Sequence, residues 1–179
     1  MTIIRKGYID TSLGLIHYRA AGELDRPPLL LLHQTASSSA MYEALMRRLA
    51  DRFHILAPDT PGFGESARPA GPASMAGYGA ALSECAQRFG FSSPGFVFGH
   101  HTGASIAVQI ESAAKGFCRK LALSGPPYLT ATQKRALREG VIPIRIGPDG
   151  AHLQTLWQRL RAKDPSAPLA LTHREFLLT

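Results

Sequence analysis

The sequence has 179 residues, of which 45% are hydrophobic and 18% are charged, so it can bury a core and is not typical of a disordered chain. No apolar run approaches the roughly 20 residues of a membrane-spanning helix, and the N-terminus lacks a signal peptide's long apolar region. Cys85 and Cys118 are too few and too far apart for a disulfide framework or a clustered zinc site. We therefore expect buried free thiols, no metal, no cofactor, no membrane partner and a cytoplasmic location.

The formal net charge of +7 is unevenly distributed along the chain. Residues 1–128 contain twelve basic and nine acidic side chains, whereas residues 129–179 contain eight basic and four acidic ones. A nucleic-acid-binding protein usually shows a clustered basic face with interleaved aromatic residues, or a known module. The sequence shows neither, so we interpret the charge as a solvated surface and expect no specific nucleic-acid partner.

Apolar runs alternate with amphipathic stretches through residues 1–128, which is the pattern of a parallel α/β sheet. The predicted strands are Ile3–Ile9, Leu15–Ala20, Leu29–Leu32, Phe53–Ala57, Phe96–Phe98 and Leu121–Leu123. Helical spacing predicts three intervening helices, marked by Met41, Leu45 and Leu49, by Tyr78, Leu82, Cys85 and Phe89, and by residues 104–114. The sequence therefore predicts an α/β domain with a mostly parallel sheet and flanking helices.

A helical pattern without strands follows from residue 129. Thr130-x-x-Gln133 is a capping box that opens a short helix, and Gly140 is expected to end it. A second short helix is predicted from an apolar stripe at helical spacing, made of Leu153, Leu156, Trp157 and Leu160. We interpret residues 129–179 as a separate helical unit.

Thr172-x-x-Glu175 forms a second capping box near the end of the chain, followed by an apolar run at residues 176–178. It predicts that a third helix begins at this point. The chain then ends about one turn later, well below the ~12–15 residues at which an isolated helix becomes marginally stable. We therefore expect a chain cut off within an element.

The segment most informative about function runs from the predicted strand Phe96–Phe98 through Gly99-His100-His101-Thr102-Gly103 into a predicted helix. Gly-x-x-x-Gly between a strand and a helix is the frame of a nucleophile elbow, in which the glycines allow a tight turn. The middle residue projects at the carboxyl end of the strand, beside a helix N-terminus that favours negative charge. His101 occupies this middle position, and a shifted register with Thr102 there would misplace both glycines.

Four segments in chain order resemble the α/β-hydrolase superfamily of the small-molecule type with a helical cap. They are Leu29–Leu32 followed by H-Q-T-A-S-S-S at residues 33–39, P-D-T-P-G-F-G-E-S at residues 58–66, Gly99–Gly103, and Leu121–Pro127. The resemblance covers residues 1–128 and implies an α/β-hydrolase fold that acts on small esters, amides or similar substrates. It also implies that residues 129–179 are part of a cap and that the family's carboxyl-terminal strands are missing from this chain.

Two departures from the family pattern bear on catalysis. The elbow has His101 where the family usually has Ser, and an imidazole is itself able to act as a nucleophile or to orient a substrate. The family's acid and general base follow the nucleophile on later strands, whereas here the acids and histidines after Leu123 all lie in the helical tail. We therefore expect this chain not to be a competent triad hydrolase. The alternative is a non-catalytic protein that binds a small ligand in a degenerate hydrolase pocket.

The resemblance also assigns positions around the pocket. The backbone N–H groups of Thr35 and Thr102 are the expected oxyanion donors. His33, Gln34 and His100 are expected to line the pocket, and the Gln34 side chain either adds a donor or blocks the cavity.

Other polar residues in these segments are interpreted as structural. Asp59 and Gly62–Gly64 are turn formers, so we expect them to shape their loop rather than to take part in catalysis. His17 lies on an early strand and is interpreted as structural, and His54 as a surface or strand-end residue. If later strands are missing, the edge at Lys120–Ser124 has unpaired backbone groups, and self-association or completion by another chain is expected.

Overall fold

The computed structural model describes residues 2–72, 74–91, 95–140 and 145–177. Six strands form one sheet in the order β1-β2-β4-β3-β5-β6. Their bounds are β1 (Arg5–Thr11), β2 (Gly14–Ala21), β3 (Pro28–Leu32), β4 (His54–Pro58), β5 (Gly95–His100) and β6 (Cys118–Ser124). Strands β4, β3, β5 and β6 are parallel to one another, whereas β2 is antiparallel to both of its neighbours, β1 and β4. The predicted mostly parallel sheet is confirmed, with the predicted strands Leu29–Leu32 and Phe96–Phe98 as neighbours at its centre.

Consecutive leucines of β3 alternate between the two faces of the sheet, as expected from the two-residue period of a strand. Leu30 and Leu32 pack in a core with helices α2 (Met75–Arg88) and α3 (Thr102–Ala113). Leu29 and Leu31 pack in a second core on the opposite face, below a 3-10 turn (Ser39–Tyr42) and helix α1 (Glu43–Leu49). The continuous leucine run is therefore buried on both sides of the sheet.

The apolar stripe predicted for α1 is only partly buried. Met46 is the residue of α1 that is fully buried against the sheet, while Met41, Leu45 and Leu49 pack around the margin of the second core. The reason is that a 3-10 turn precedes the helix, and its Tyr42 fills the space closest to β3, with its hydroxyl donating to the Leu32 carbonyl at 2.8 Å. The stripe residues Leu45 and Leu49 instead line an open apolar groove on this face.

The chain divides into two compact units, Met1–Pro127 and Tyr128–Thr179. The second contains helices α4 (Ala131–Gly140), α5 (Ala151–Lys163) and α6 (Leu169–Leu177). The first predicted capping box is confirmed, because the Thr130 N–H donates to Gln133 Oε1 at 2.9 Å and the Gln133 N–H donates to Thr130 Oγ1 at 3.2 Å. Helices α5 and α6 pack through an edge-to-face contact between Trp157 and Phe176, with ring centroids 5.8 Å apart.

The second predicted capping box is wrong. Thr172 lies inside α6, which begins three residues earlier, directly after Pro168. The Pro168 carbonyl accepts hydrogen bonds from the N–H groups of Leu171 and Thr172, at 2.9 and 3.1 Å. Proline favours a helix start because its φ is already helical and its missing N–H needs no acceptor. Leu178, part of the predicted apolar run, lies outside the described residues, as does Thr179.

Both cysteines are free thiols, as predicted; the expectation that both are buried holds for Cys85, whereas Cys118 is half-buried. None of the helices in the described segments is long and apolar enough to cross a membrane. Within the same segments, no cluster of three or more His, Cys, Asp or Glu side chains is arranged to hold a metal ion. Strand β6 pairs with β5 and, among the described residues, has no strand on its other side. Self-association through this edge stays a prediction.

Candidate active site

The turn between β5 and α3 has the geometry predicted for residues 99–103, here called the elbow. His101 has a φ of 50° and is the one non-glycine residue with positive φ in the described part of the chain. A Cβ atom on Gly103 would collide with the Leu32 carbonyl, and one on Gly99 would lie 2.6 Å from the Ala104 Cα. Both glycines are therefore required by close backbone contacts, which hold His101 at the tip of a strained turn.

The His101 side chain is exposed and lies beside two threonines. Its Nδ1 is 3.2 Å from Thr102 Oγ1, which is in turn 2.9 Å from Thr35 Oγ1. The His101 backbone N–H donates to the Ser124 carbonyl at 2.9 Å, which ties the elbow to the end of β6. The structure thus brings together three residues predicted for the site, which come from two separate segments of the sequence.

The two amides predicted as oxyanion donors come from these adjacent threonines. Thr102 is the first residue of α3, so its N–H has no carbonyl of a preceding turn to bind. Neither this N–H nor that of Thr35 donates to a protein acceptor among the described residues. Both N–H groups are therefore without a protein acceptor in the described residues, and that of Thr102 lies at the positive end of the α3 dipole.

His33 was predicted to line the pocket, but its side chain is fully buried, at 0% exposure. Its Nε2 accepts a hydrogen bond from the Thr60 N–H at 2.8 Å, and its Nδ1 lies 2.7 Å from the Gln34 carbonyl, to which it donates. Burial lowers the pKa of His33, and the Gln34 carbonyl and Asp59 only partly oppose this effect. The neutral His33 ring therefore joins the segment at residues 33–39 to the loop at residues 58–66. Both of its nitrogens are hydrogen-bonded, so neither is free to bind a ligand.

Asp59 joins the same two segments through its buried carboxylate. Its Oδ1 accepts the Ser39 N–H at 2.6 Å, and its Oδ2 accepts the Glu65 N–H at 3.0 Å and lies 2.8 Å from His17 Nδ1. Burial raises the pKa of Asp59, but these hydrogen bonds outweigh burial and the net shift is downward. A side chain on Gly64 would collide with this carboxylate. The structure agrees with the interpretation of Asp59 and His17 as structural.

Sequence reasoning missed the partnership between His17 and Asp59. The two residues are 42 positions apart, and the bond forms only because β2 lies beside β4, whose end carries Asp59. Glu65 extends the cluster, with Oε1 3.7 Å from His17 Nε2 and Oε2 accepting from the Tyr8 hydroxyl at 3.2 Å. No motif or spacing in the sequence indicates these contacts.

The other two predicted pocket residues, His100 and Gln34, differ in their hydrogen bonding. His100 is half-buried, and its Nδ1 lies 3.1 Å from Ser124 Oγ, across the pairing of β5 with β6. Gln34 is half-buried, and its side-chain amide makes no hydrogen bond with the described residues. No Asp or Glu of the described segments hydrogen-bonds to the His101 ring, so the site shows an imidazole and two amides without an orienting carboxylate.

Residues 27–169 match the family model described as alpha/beta hydrolase fold. An uncharacterized hydrolase of Saccharomyces cerevisiae is 48% identical over 54 residues, which are 30% of this chain and 19% of that protein. Haloalkane dehalogenase 2 of Mycobacterium tuberculosis is 44% identical over 64 residues, which are 36% of this chain and 22% of that protein. These alignments cover about a fifth of the length of either relative.

Solved structures share the fold over nearly the whole chain. A hydrolase from Pseudomonas aeruginosa has a TM-score of 0.79 at 20% identity, and the match covers 97% of this chain and 66% of that one. The N-acyl homoserine lactonase AidH has a TM-score of 0.71 at 24% identity, over 98% of this chain and 68% of that one. At this identity the likeness shows the fold, and the chain spans about two thirds of the length of these structures.

Proposed function

Because the chain belongs to the alpha/beta hydrolase fold family, we propose that it binds a small acyl compound at the elbow and that His101 attacks the acyl carbon. The observation that carries this proposal is the backbone of His101, whose φ of 50° puts an exposed imidazole at the tip of the strand-to-helix turn. The names of two similar proteins, a haloalkane dehalogenase and an N-acyl homoserine lactonase, are consistent with small organic substrates.

The proposed nucleophile is the Nε2 atom of the neutral His101 ring. If Nδ1–H donates to Thr102 Oγ1 and the Thr102 hydroxyl donates to Thr35 Oγ1, the Nε2 lone pair faces solvent. Nε2 attacks the acyl carbon of an ester, and the carbonyl oxygen becomes an oxyanion. The oxyanion collapses and the C–O bond to the leaving group breaks. The alkoxide or aryloxide takes up a proton, the acylated ring releases its Nδ1 proton to solvent, and water then hydrolyses the acyl-imidazole to the acid and free imidazole.

The N–H groups of Thr35 and Thr102 are the proposed oxyanion donors. They are supported by the 2.9 Å contact between the two hydroxyls, which keeps the residues side by side, and by the absence of protein acceptors for either N–H among the described residues. A single oxyanion donor is worth about 10²–10³ in kcat in well-studied hydrolases. Gln34, whose amide is without a partner in the described segments, is proposed to contact the acyl group.

No carboxylate of the described residues orients the His101 ring, which limits the proposed reaction to activated substrates. A hydroxyl nucleophile requires a base, and a base requires a group that fixes its tautomer. An imidazole needs no base for its own attack, so aryl esters with good leaving groups are the proposed substrates. We expect turnover below about 1 s⁻¹, the lower end of the usual enzymatic range.

A second candidate function is ligand binding without turnover. It is favoured by the same observation about His101, whose ring has a threonine hydroxyl as its hydrogen-bond partner in the described residues. An imidazole held this weakly is able to donate or accept a hydrogen bond to a ligand without reacting. This candidate predicts saturable binding of aryl esters with no release of phenol.

We also propose that residues 129–179 are part of a helical cap, which is supported by the division of the chain into units at Pro127 and Tyr128. The free thiols of Cys85 and Cys118 support a reducing compartment such as the cytoplasm.

The proposal is tested by mixing the full chain with p-nitrophenyl acetate and following nitrophenol release and protein mass. We expect saturable release of nitrophenol and a transient mass increase of one acetyl group that maps to His101. Both signals disappear in His101→Ala. Binding of the ester with no acetylated protein and no release would instead favour the second candidate.

The His101→Ser variant separates the nucleophile from the family motif. It restores the usual family residue, yet no described residue is positioned to take the hydroxyl proton, so its activity should equal that of His101→Ala. Gln109→Ala, on the same helix but away from the elbow, is the matched control and should retain full activity. A serine variant faster than the wild-type chain would contradict the assignment of His101 as nucleophile.

A further inference from the structure

A cavity of about 540 Å³ lies at the end of the sheet opposite the elbow. It opens where β4 begins and β2 ends, whereas the elbow follows the carboxyl end of β5. The parallel strands of five residues that separate the two ends are roughly 13 Å long. This amino-end cavity is lined by side chains from β1, β2, β4, the loop after β2 and the ends of α1 and α2, including Arg5, Tyr18, Glu23, Asp51, His54 and Phe89.

His54 forms part of the cavity wall and is only 8% exposed. Its ring packs against Phe89 and Phe91, with centroid distances of 5.2 and 5.3 Å. Neither ring nitrogen hydrogen-bonds to a described residue, and neither is a fully buried unsatisfied atom, so the polar edge of the ring reaches the open cavity. A ligand in the cavity is therefore able to replace water as the hydrogen-bond partner of this ring.

The charges around the cavity are also unpaired. Arg5, Glu23 and Asp51 line it, and none of them takes part in an ion pair or side-chain hydrogen bond within the described segments. Burial and the positive charge of Arg5 lower the pKa of His54, against a smaller opposite effect of Glu23. The ring is therefore neutral near pH 7, and the described residues of the lining carry one positive and two negative charges.

Two large apolar side chains lie at the same cavity and are open to solvent. Ile3 is 73% exposed and Leu24 is 82% exposed, and both belong to the lining. Together with Phe89 and Tyr18 they offer an apolar surface that a ligand would remove from water. The cavity thus combines an apolar wall, a neutral hydrogen-bonding ring and an excess of carboxylates.

We propose that the amino-end cavity is a binding site for a small amphipathic amine. Its apolar body packs on Phe89 and under Ile3 and Leu24, and its ammonium group donates to His54 and lies near the carboxylates of Glu23 and Asp51. An anionic ligand is disfavoured because the described lining contains two carboxylates and one guanidinium. This site is separate from the elbow and does not depend on the function proposed there.

The experiment uses three probes that share a phenyl ring and differ in charge: 2-phenylethylamine, 2-phenylethanol and phenylacetate. Each is titrated into the full chain while amide and imidazole resonances are followed by NMR. We expect saturable shifts at His54 and Phe89, with a Kd for the amine below about 1 mM and at least about tenfold tighter than for phenylacetate. Absence of saturation up to about 10 mM of amine, or equal affinity for phenylacetate, would overturn the proposal.

Charge-removing variants test where and how the amine binds. The double variant Glu23→Gln, Asp51→Asn changes two exposed side chains, so folding should be unaffected, and amine affinity should fall at least about fivefold. Asp10→Asn removes an exposed carboxylate outside the cavity and should leave the affinity unchanged. His101→Ala should also bind the amine normally. An unaffected double variant, or shifts confined to the elbow, would show that the amine does not bind in this cavity.

Discussion

The two ends of the central sheet use their polar side chains in opposite ways. At the carboxyl end, His33 and Asp59 are buried and their polar atoms are engaged in holding the loops together. At the amino end, His54 is nearly as buried but has no hydrogen-bond partner among the described residues, and the charges beside it are unpaired. The difference teaches that the burial of a whole side chain does not identify a ligand-binding residue. Both His33 nitrogens are engaged by protein groups, whereas the His54 nitrogens reach a cavity that a ligand is able to enter.

The same comparison explains why few polar side chains near the elbow are free to take part in a reaction. The buried histidine and aspartate that follow β3 and β4 are committed to backbone N–H groups. What is left is the exposed ring of His101 with the amides of Thr35 and Thr102. Close backbone contacts and loop hydrogen bonds hold the strained turn in place. Substitutions that remove these interactions should destabilise the carboxyl end of the sheet and leave the amino end unchanged.

The largest effect is expected for Gly103→Ala. The new methyl group would collide with the Leu32 carbonyl, and a backbone atom in a central strand cannot move aside. We expect a loss of about 3 kcal/mol or more in the free energy of unfolding, measured by urea denaturation. The control is Gly71→Ala, where an added Cβ has no neighbour within 4 Å and stability should change by less than about 0.5 kcal/mol. Equal stability of the two variants would mean that the elbow is not tightly packed.

The next effect is expected for Asp59→Asn. The amide keeps one acceptor, so its NH₂ group faces the N–H donor of either Ser39 or Glu65. The donor left without an acceptor, facing a second donor, should cost about 2–3 kcal/mol of stability. Asp51→Asn makes the same chemical change at the amino end, where the carboxylate has no partner, and should cost less than about 0.5 kcal/mol. A similar loss in both variants would remove the distinction between the two ends.

The pH dependence of stability compares His33 with His54. Burial lowers both folded-state pKa values below the unfolded value of about 6.5. Between each lowered folded-state pKa and the unfolded value, the unfolded chain therefore binds more protons than the folded chain. The free energy of unfolding should consequently fall as the pH drops below about 6.5. In NMR titrations His54 should protonate while the protein is folded, because its ring reaches a cavity. His33 should protonate only with unfolding, and the reverse order would contradict this comparison.

The smallest effect is expected for Thr102→Val, which removes a hydroxyl at nearly constant volume. It breaks the contacts with Thr35 Oγ1 and His101 Nδ1 and should cost about 1 kcal/mol of stability. It should also slow acetylation of His101, since the ring loses the group that orients it. Glu23→Gln at the amino end should change neither quantity. Faster acetylation in Thr102→Val would show that this hydroxyl restrains the ring rather than orienting it.

Local patterns were predicted well where one short segment decides the outcome. The glycines of the elbow and the capping box at Thr130 and Gln133 depend on neighbours in sequence, and both were predicted correctly. The capping box at Thr172 failed because Pro168, four residues upstream, starts the helix first. The α1 stripe was misjudged because Tyr42 occupies the space against β3 that the stripe was expected to fill.

The sequence by itself determined the α/β class, the order of the strands along the chain and the position of His101 at the turn. It could do so because a tight strand-to-helix turn requires glycine, and strands and helices have different apolar periods. Only the tertiary structure decided which polar groups are satisfied. His33, expected in the pocket, binds the Thr60 N–H, while His54, expected at a surface or strand end, lines a cavity without a partner. Hydrogen bonding of buried groups depends on residues that are distant in sequence, so no local pattern records it.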